Sequence, residues 1–111
     1  SIKVDKWYQA SGPYETRFTT DCEPFGICRR SQHPTYDERF VGYGFNKISW
    51  AWGAEAQGSR LYVMSDSFVT HLNHMDNEWV ANISVPVYIR TWRRYLAFSA
   101  EVVSSHGIQL P

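Results

Sequence analysis

Between Pro86 and Gly107 the residues Tyr88, Trp92, Tyr95, Leu96, Ser99, Val102 and Val103 recur at the three- and four-residue spacing of one helix face. Pro86 suits a first helical turn, where a missing N–H costs nothing, and Gly107 suits a left-handed stop. A helix over about 87–105 must bury that stripe, since exposed apolar patches beyond a few hundred Å² are seldom tolerated. It is expected to lie partly on the chain's own sheet and partly on another chain or domain, with Arg90, Arg93 and Arg94 at its rim. The alternative is that it folds back wholly on its own sheet.

The remainder of the chain must therefore supply the sheet. Segment 14–20 alternates rings with charges, the period of a half-buried strand, and Gly12-Pro13 turns the chain into it. A second extended stretch, 25–30, ends at Ser31-Gln32-His33-Pro34, because the residue before proline leaves the helical region. Segment 36–45 fits neither period and reads as a shaped loop. Asn46 can cap a helix through Ile48, Ala51, Trp52 and Glu55 that stops at Gly58; Ile48 and Trp52 share a face and are expected to be buried against a sheet. Segments 60–64 and 68–71 read as short strands about the turn Ser65-Asp66-Ser67. Strands interleaved with two helices make an α/β or α+β unit.

The 111 residues bound the function as well as the fold. They suffice for one unit over 1–111 with one modest core. Eleven basic residues balance eleven acidic ones, so no net field holds a nucleic acid or an anionic membrane. No apolar run approaches the roughly 20 residues of a membrane span, and no basic start with an apolar h-region marks a signal peptide. The unit is expected to be soluble and to carry no address of its own. A start at Ser1-Ile2-Lys3 without Met is expected of a processed chain or of part of something longer. Cys22 and Cys28, six apart, can bridge only if 23–27 loops back, so two free, half-buried thiols are expected.

Five Trp, seven Tyr and six Phe either fill the core or stack on sugars, and core packing is the commoner use. In the loop Tyr36-Asp37-Glu38-Arg39-Phe40-Val41-Gly42-Tyr43-Gly44-Phe45-Asn46-Lys47, rings surround two carboxylates. Inverting glycosyl transfer needs that pair of features: a carboxylate to take the acceptor hydroxyl's proton, and rings to hold sugar faces. The structural alternative is that Asp37 bonds loop amides while Glu38 and Arg39 are solvated. His71 and His74, with Asp76 and Glu78, form a ligand set for Mn²⁺ or Zn²⁺ only if the chain turns after His71; a strand-end His bonded to a carbonyl is the alternative. His33 and His106 read as surface residues, and Asn82-Ile83-Ser84 matches the N-glycosylation acceptor pattern. Signatures of P-loop, dinucleotide, hydrolase and zincin sites are missing, as is an Asp-x-Asp pair.

Three stretches in order resemble the C-terminal part of the LARGE-like glucuronyltransferases, glycosyltransferase family 49. They are Glu23-Pro24-Phe25 ending in Arg29-Arg30, the 36–47 loop with its Y-D-x-R-F-x-G-(Y/F)-G-x-N-K pattern, and Asp66-Ser67-Phe68-Val69-Thr70-His71. The resemblance runs from about Trp7 to His74 and thins afterwards. It implies an α/β fold, the C-terminal part of a GT-A-like mixed sheet with two flanking helices. It further implies a nucleotide-sugar donor, a glycan acceptor, Mn²⁺ and a Golgi or secretory lumen. His71 matches the histidine that completes the family's metal site, with His74 beside it. Asp37 or Glu38 would be the base near the acceptor hydroxyl, and Tyr36, Tyr43, Asn46 and Lys47 would shape the substrate pocket. The sequence departs from the family at Asn73, which replaces Pro, and at Trp50-Ala51-Trp52-Gly53, which replaces a polar helix start. Because the acidic metal-binding pair of the family lies in a preceding half, these residues alone are expected to be inactive, with another protein chain or domain as partner.

Overall fold

The computed structural model describes residues 3–73 and 82–107. In chain order they form α1 (Val4–Gln9), β1 (Tyr14–Thr16), one 3-10 turn (Arg30–Gln32), α2 (Asn46–Ala56), β2 (Leu61–Val63) and α3 (Val85–His106). The unit is a small mixture of helix and strand. Among the described residues, however, the sheet is a two-stranded antiparallel ribbon rather than a mixed sheet, and three helices stand where two were expected.

The ribbon pairs Tyr14 with Val63, Glu15 with Tyr62 and Thr16 with Leu61. Arg60 clamps it, donating from Nε and Nη2 to the two Glu15 oxygens at 2.9 and 2.7 Å, with its guanidinium over the Tyr62 ring. β1 is shorter than the alternation predicts because Glu55 captures the chain beyond Thr16: its carboxylate accepts from Arg17 Nε at 2.6 Å and from the Phe18 amide at 2.8 Å. That bond turns the Phe18 ring into the core, stacked on Trp52. α1, too short for a periodic signal, is fixed on the ribbon by Trp7 Nε1 donating to the Met64 carbonyl at 2.9 Å and by Lys6 over the Tyr14 ring.

The core lies between α2 and α3, not between a helix and a sheet. α2 contributes Ile48, Ala51 and Trp52, all buried as their shared face predicts. α3 contributes Tyr95, Phe98 and Val102, and Phe40 closes the core from the 36–45 loop with its ring edge-on to Phe98. Gly53 faces Phe98 across this contact, and a Cβ there would meet Phe98 Cζ at an ordinary 3.6 Å. Both helix stops are as expected, with Gly58 at φ 92 and Gly107 at φ 63, and Pro86 sits in the first turn of α3.

Three expectations fail here for physical reasons. The buried face of α3 is Thr91, Tyr95, Phe98, Ser99 and Val102, while Tyr88, Trp92 and Leu96 of the expected stripe are about half exposed. The apolar arc of α3 is wider than the one helix it lies on, and Trp92 stands about 100° round from Thr91. Asn46 does not cap α2: Phe45 holds that place in a left-handed conformation (φ 61), and Asn46 Oδ1 accepts from the Lys47 amide at 3.1 Å. Segments 25–30 and 68–71 form no strand, since no described neighbour pairs with them, and Phe25, Ile27, Phe68 and Val69 are open to solvent.

The chain is consequently spread out. Its radius of gyration is 15.7 Å, against about 13 Å for a compact domain of this length. Its accessible surface is 8977 Å², against about 6300 Å² for a monomeric protein of this mass. Among the described residues no helix is long and apolar enough to cross a membrane.

Candidate functional site

The 36–47 loop folds around Arg39. Asp37 Oδ1 accepts from the Arg39 amide at 3.0 Å and from its Nε at 2.9 Å, closing a tight local turn. The two terminal nitrogens of Arg39 reach α3 and donate to both oxygens of Glu101, at 2.8 and 2.6 Å. A planar guanidinium suits such a double fork, which fixes the loop's orientation on the helix. The expected solvation of Arg39 is therefore replaced by engagement on both sides, while Glu38 stays exposed. The loop then passes Gly42 (φ 87), Gly44 (φ 103) and Phe45 into α2. At Gly44 the left-handed backbone is the reason for glycine, since a Cβ there would meet Thr91 Cγ2 only at an ordinary contact distance of 3.5 Å.

The electrostatics follow from that fork. Burial works to raise the Asp37 pKa, but the hydrogen bonds from the Arg39 side chain and amide, with its charge, outweigh burial and hold the carboxyl below its usual value. Glu101 is lowered chiefly by its hydrogen bonds from Arg39, and Arg39 is raised by Glu101 and then Asp37. Groups with lowered folded-state pKa values stabilise the fold above their unfolded pKa, and that contribution is lost as pH falls through the folded value. The melting temperature is therefore expected to drop below about pH 4, where carboxylates protonate. Thermal scans from pH 7 to pH 3 should show less of that drop in Arg39→Met, and equal slopes in both proteins would refute the assignment.

Tyr36 and Trp50 come together. Their rings stack with centroids 5.8 Å apart and planes at 22°, and His33 leans on Trp50 at 5.7 Å. Trp50 Nε1 donates to the Pro34 carbonyl at 2.8 Å, which locks the indole. Beside it a shallow depression of about 180 Å³ is lined by Pro34, Thr35, Asp37, Ser49, Trp50, Gly53, Gln57 and Phe98. Of the two candidate bases only Asp37 lines it. Asn46 and Lys47 start the same helix, but Lys47 turns to Glu23 at 3.0 Å and lies over the Phe25 ring. Tyr43 is half exposed on the loop.

The proposed metal ligands are not drawn together among the described residues. His71 is exposed, no three His, Cys, Asp or Glu side chains lie close enough to hold an ion, and His74, Asp76 and Glu78 fall outside the described residues. Among the described residues, then, no donor set for a metal ion is assembled. Cys22 and Cys28 are free, the first half-buried and the second exposed. Sequence reasoning missed Trp50 and Gln57. The signal for Trp50 was available: two tryptophans two residues apart point about 200° apart on a helix, so with Trp52 in the core Trp50 had to face elsewhere.

Much of the chain, this loop included, falls within a match to a known family. Residues 3–82 match the family model described as glycosyl-transferase for dystroglycan. The chain belongs to this family. Among relatives of this glycosyltransferase family, the glycosyltransferase-like protein gnt15 of Dictyostelium discoideum is 40% identical over 74 residues, covering 67% of this chain and 14% of that protein. The xylosyl- and glucuronyltransferase LARGE2s of Danio rerio is 41% identical over 69 residues, covering 62% of this chain and 9% of that protein. The LARGE1 enzyme of Mus musculus is 36% identical over 69 residues, with the same coverages of 62% and 9%. The chain thus corresponds to between 9% and 14% of the length of these relatives. The family match includes the loop, α2 and the ribbon, and it ends before α3 begins.

Proposed function

We propose that the chain is the acceptor-side segment of a nucleotide-sugar-dependent glycosyltransferase of the glucuronyl- or xylosyl-type, inactive by itself and working in a Golgi or secretory lumen. The family match over 3–82, which contains the complete 36–47 motif, carries this reading. In it Asp37 or Glu38 receives the proton of the acceptor hydroxyl as that oxygen bonds to the sugar carbon and the nucleotide diphosphate leaves. The placement of Asp37 in the depression favours it. Arg39 positions this carboxylate. Tyr36, stacked on Trp50, would back the aromatic wall, and Tyr43, Asn46 and Lys47 would shape the pocket rim. In this reading the metal and the donor diphosphate belong with another part of such an enzyme, to which His71 and His74 would contribute.

The excess accessible surface and the open Phe68, Val69 and Trp92 support a segment that packs against the remainder of such an enzyme. The same observation favours a second reading, a non-catalytic structural subunit of a larger assembly derived from a glycosyltransferase. Two measurements decide. Calorimetry on these 111 residues is expected to show no micromolar binding of UDP-sugar or Mn²⁺. In a complete enzyme containing this segment, Asp37→Asn is expected to lower transfer by about 10²–10⁴-fold, the range for a lost general base. Glu38→Gln in the same assay separates the two carboxylates. Transfer unaffected by either substitution, or no transfer by the intact assembly, would leave the structural reading.

A further inference from the structure

Along its 22 residues α3 carries two apolar seams rather than one. Thr91, Tyr95, Phe98 and Val102, at spacings of four, three and four, are buried on the side that meets α2. Val85, Ile89, Trp92 and Leu96 repeat the same spacing, about 120° further round the helix. These four are between 43% and 70% exposed. An alternation of four and three is the pattern by which one helix receives the side chains of another along its length. α3 is thus patterned for a helix on two sides, and α2 fills one of them.

The border of the open seam says what sort of helix fits it. On the side away from α2 stands Arg93, with Arg90 behind it and the half-buried Arg94 further round. None of the described residues forms an ion pair with any of the three. Glu101, the one acid of α3, has both oxygens held by Arg39, and the pairs Arg17–Glu55, Lys47–Glu23 and Arg60–Glu15 engage other cations. Further along the same border come Ala97 and Ala100, whose small side chains let a neighbouring backbone draw close. A second copy of α3 does not suit this border. In an antiparallel pair outer border meets outer border, which brings Arg90 and Arg93 of the two copies together, and like charges so placed repel. In a parallel pair the outer border meets the α2 side, where α3 presents Tyr88 and Tyr95 and no acid. A helix whose own seam is edged with Glu or Asp meets the arginines with the opposite charge.

We propose that the face Val85-Ile89-Trp92-Leu96 of α3 is a docking site for a partner's amphipathic helix, the apolar seam of which is bordered by carboxylates that pair with Arg90 and Arg93. The face lies beyond the residues matched by the family, and the proposal goes beyond the transferase reading: it is read by binding and needs no turnover. The probe is a helical peptide of about three heptads with Leu at both seam positions and Glu at the positions bordering them, labelled with a fluorophore and used at nanomolar concentration. Its twin carries Lys in place of each Glu. Titrated with the 111-residue chain, the Glu peptide should bind about tenfold or more tightly than the Lys peptide, and raising salt should narrow the gap. Arg90→Glu combined with Arg93→Glu, both at exposed positions, should reverse the preference and leave the melting temperature near the parent's. Ile89→Ser, also exposed, should weaken binding of the Glu peptide about tenfold.

Equal binding of the two peptides, binding of neither, or an unchanged preference after the double charge reversal overturns the proposal. So does a chain that dimerises in micromolar sedimentation and loses the dimer on Ile89→Ser, which would assign the seam to a second copy. A chain that binds vesicles of phosphatidylcholine and phosphatidylserine and ignores the Glu peptide would assign it to an anionic surface, and overturns the proposal equally. Transfer by a complete enzyme bears on none of these outcomes, so the catalytic reading stands or falls separately.

Discussion

Trp52→Ala is expected to unfold much of the population at ambient temperature. Trp52 is 3% exposed, stacked on Phe18, and sits on the face of α2 that meets α3. Truncating a buried tryptophan costs about 3–5 kcal/mol, and a domain of this size holds roughly 5–15 kcal/mol in total. An accessible surface well above that of a compact monomer places this chain toward the lower end of that range. A fall of about 15 °C or more in melting temperature follows from the usual relation for small domains. Trp52→Phe is the informative companion. The indole Nε1 is buried with no hydrogen-bond partner among the described residues, and a buried donor left unmade is itself a cost of about 1–3 kcal/mol. Phenylalanine removes that donor and keeps most of the ring, so it should cost far less than alanine. A Trp52→Ala protein melting at the parent temperature would mean that the core does not lie between α2 and α3.

What the sequence disclosed was what is written locally. Ile48 and Trp52 share a face by spacing, and Gly58, Gly107 and Pro86 mark helix ends by backbone chemistry that acts within a turn or two. The 36–47 motif was legible because twelve consecutive residues carry it. What lay hidden depended on distant partners. Glu55 reads as one more polar position on α2, yet it ends β1 by capturing the Phe18 amide, 37 residues away. Arg39 reads as solvated, yet Glu101 waits 62 residues on to receive it. The Phe68-Val69 pair has the composition of a strand, but a strand exists only beside another, and the described residues offer none. The face of α3 was misjudged because its apolar arc exceeds a single contact surface, and periodicity alone cannot say which part of a wide arc is covered.

Ending the chain at residue 84, just past the family match, is expected to abolish cooperative folding. All of α3 is then lost, and with it Tyr95, Phe98 and Val102 from the core together with the Glu101 partner of Arg39. Ile48, Ala51 and Trp52 would face water, with Phe18 and Phe40 unable to cover them. The β1–β2 ribbon cannot substitute, because a two-stranded hairpin is marginal by itself in water, and it meets the core through the partly buried Leu61. Isolated helices of eleven residues, the length of α2, are likewise marginal. The shortened chain should give little far-ultraviolet helix signal and no sigmoidal urea transition. Adding a separate peptide of residues 83–107 at high micromolar concentration should restore part of both, since the lost contacts are side-chain packing and one ion-pair fork rather than chain continuity. A shortened chain that melts cooperatively would show that the family-matched segment carries its own core and that α3 is an accessory to it. A chain that stays unfolded until the peptide arrives would show the converse: in this protein, a helix beyond the family motif is what holds the Asp37 loop in place.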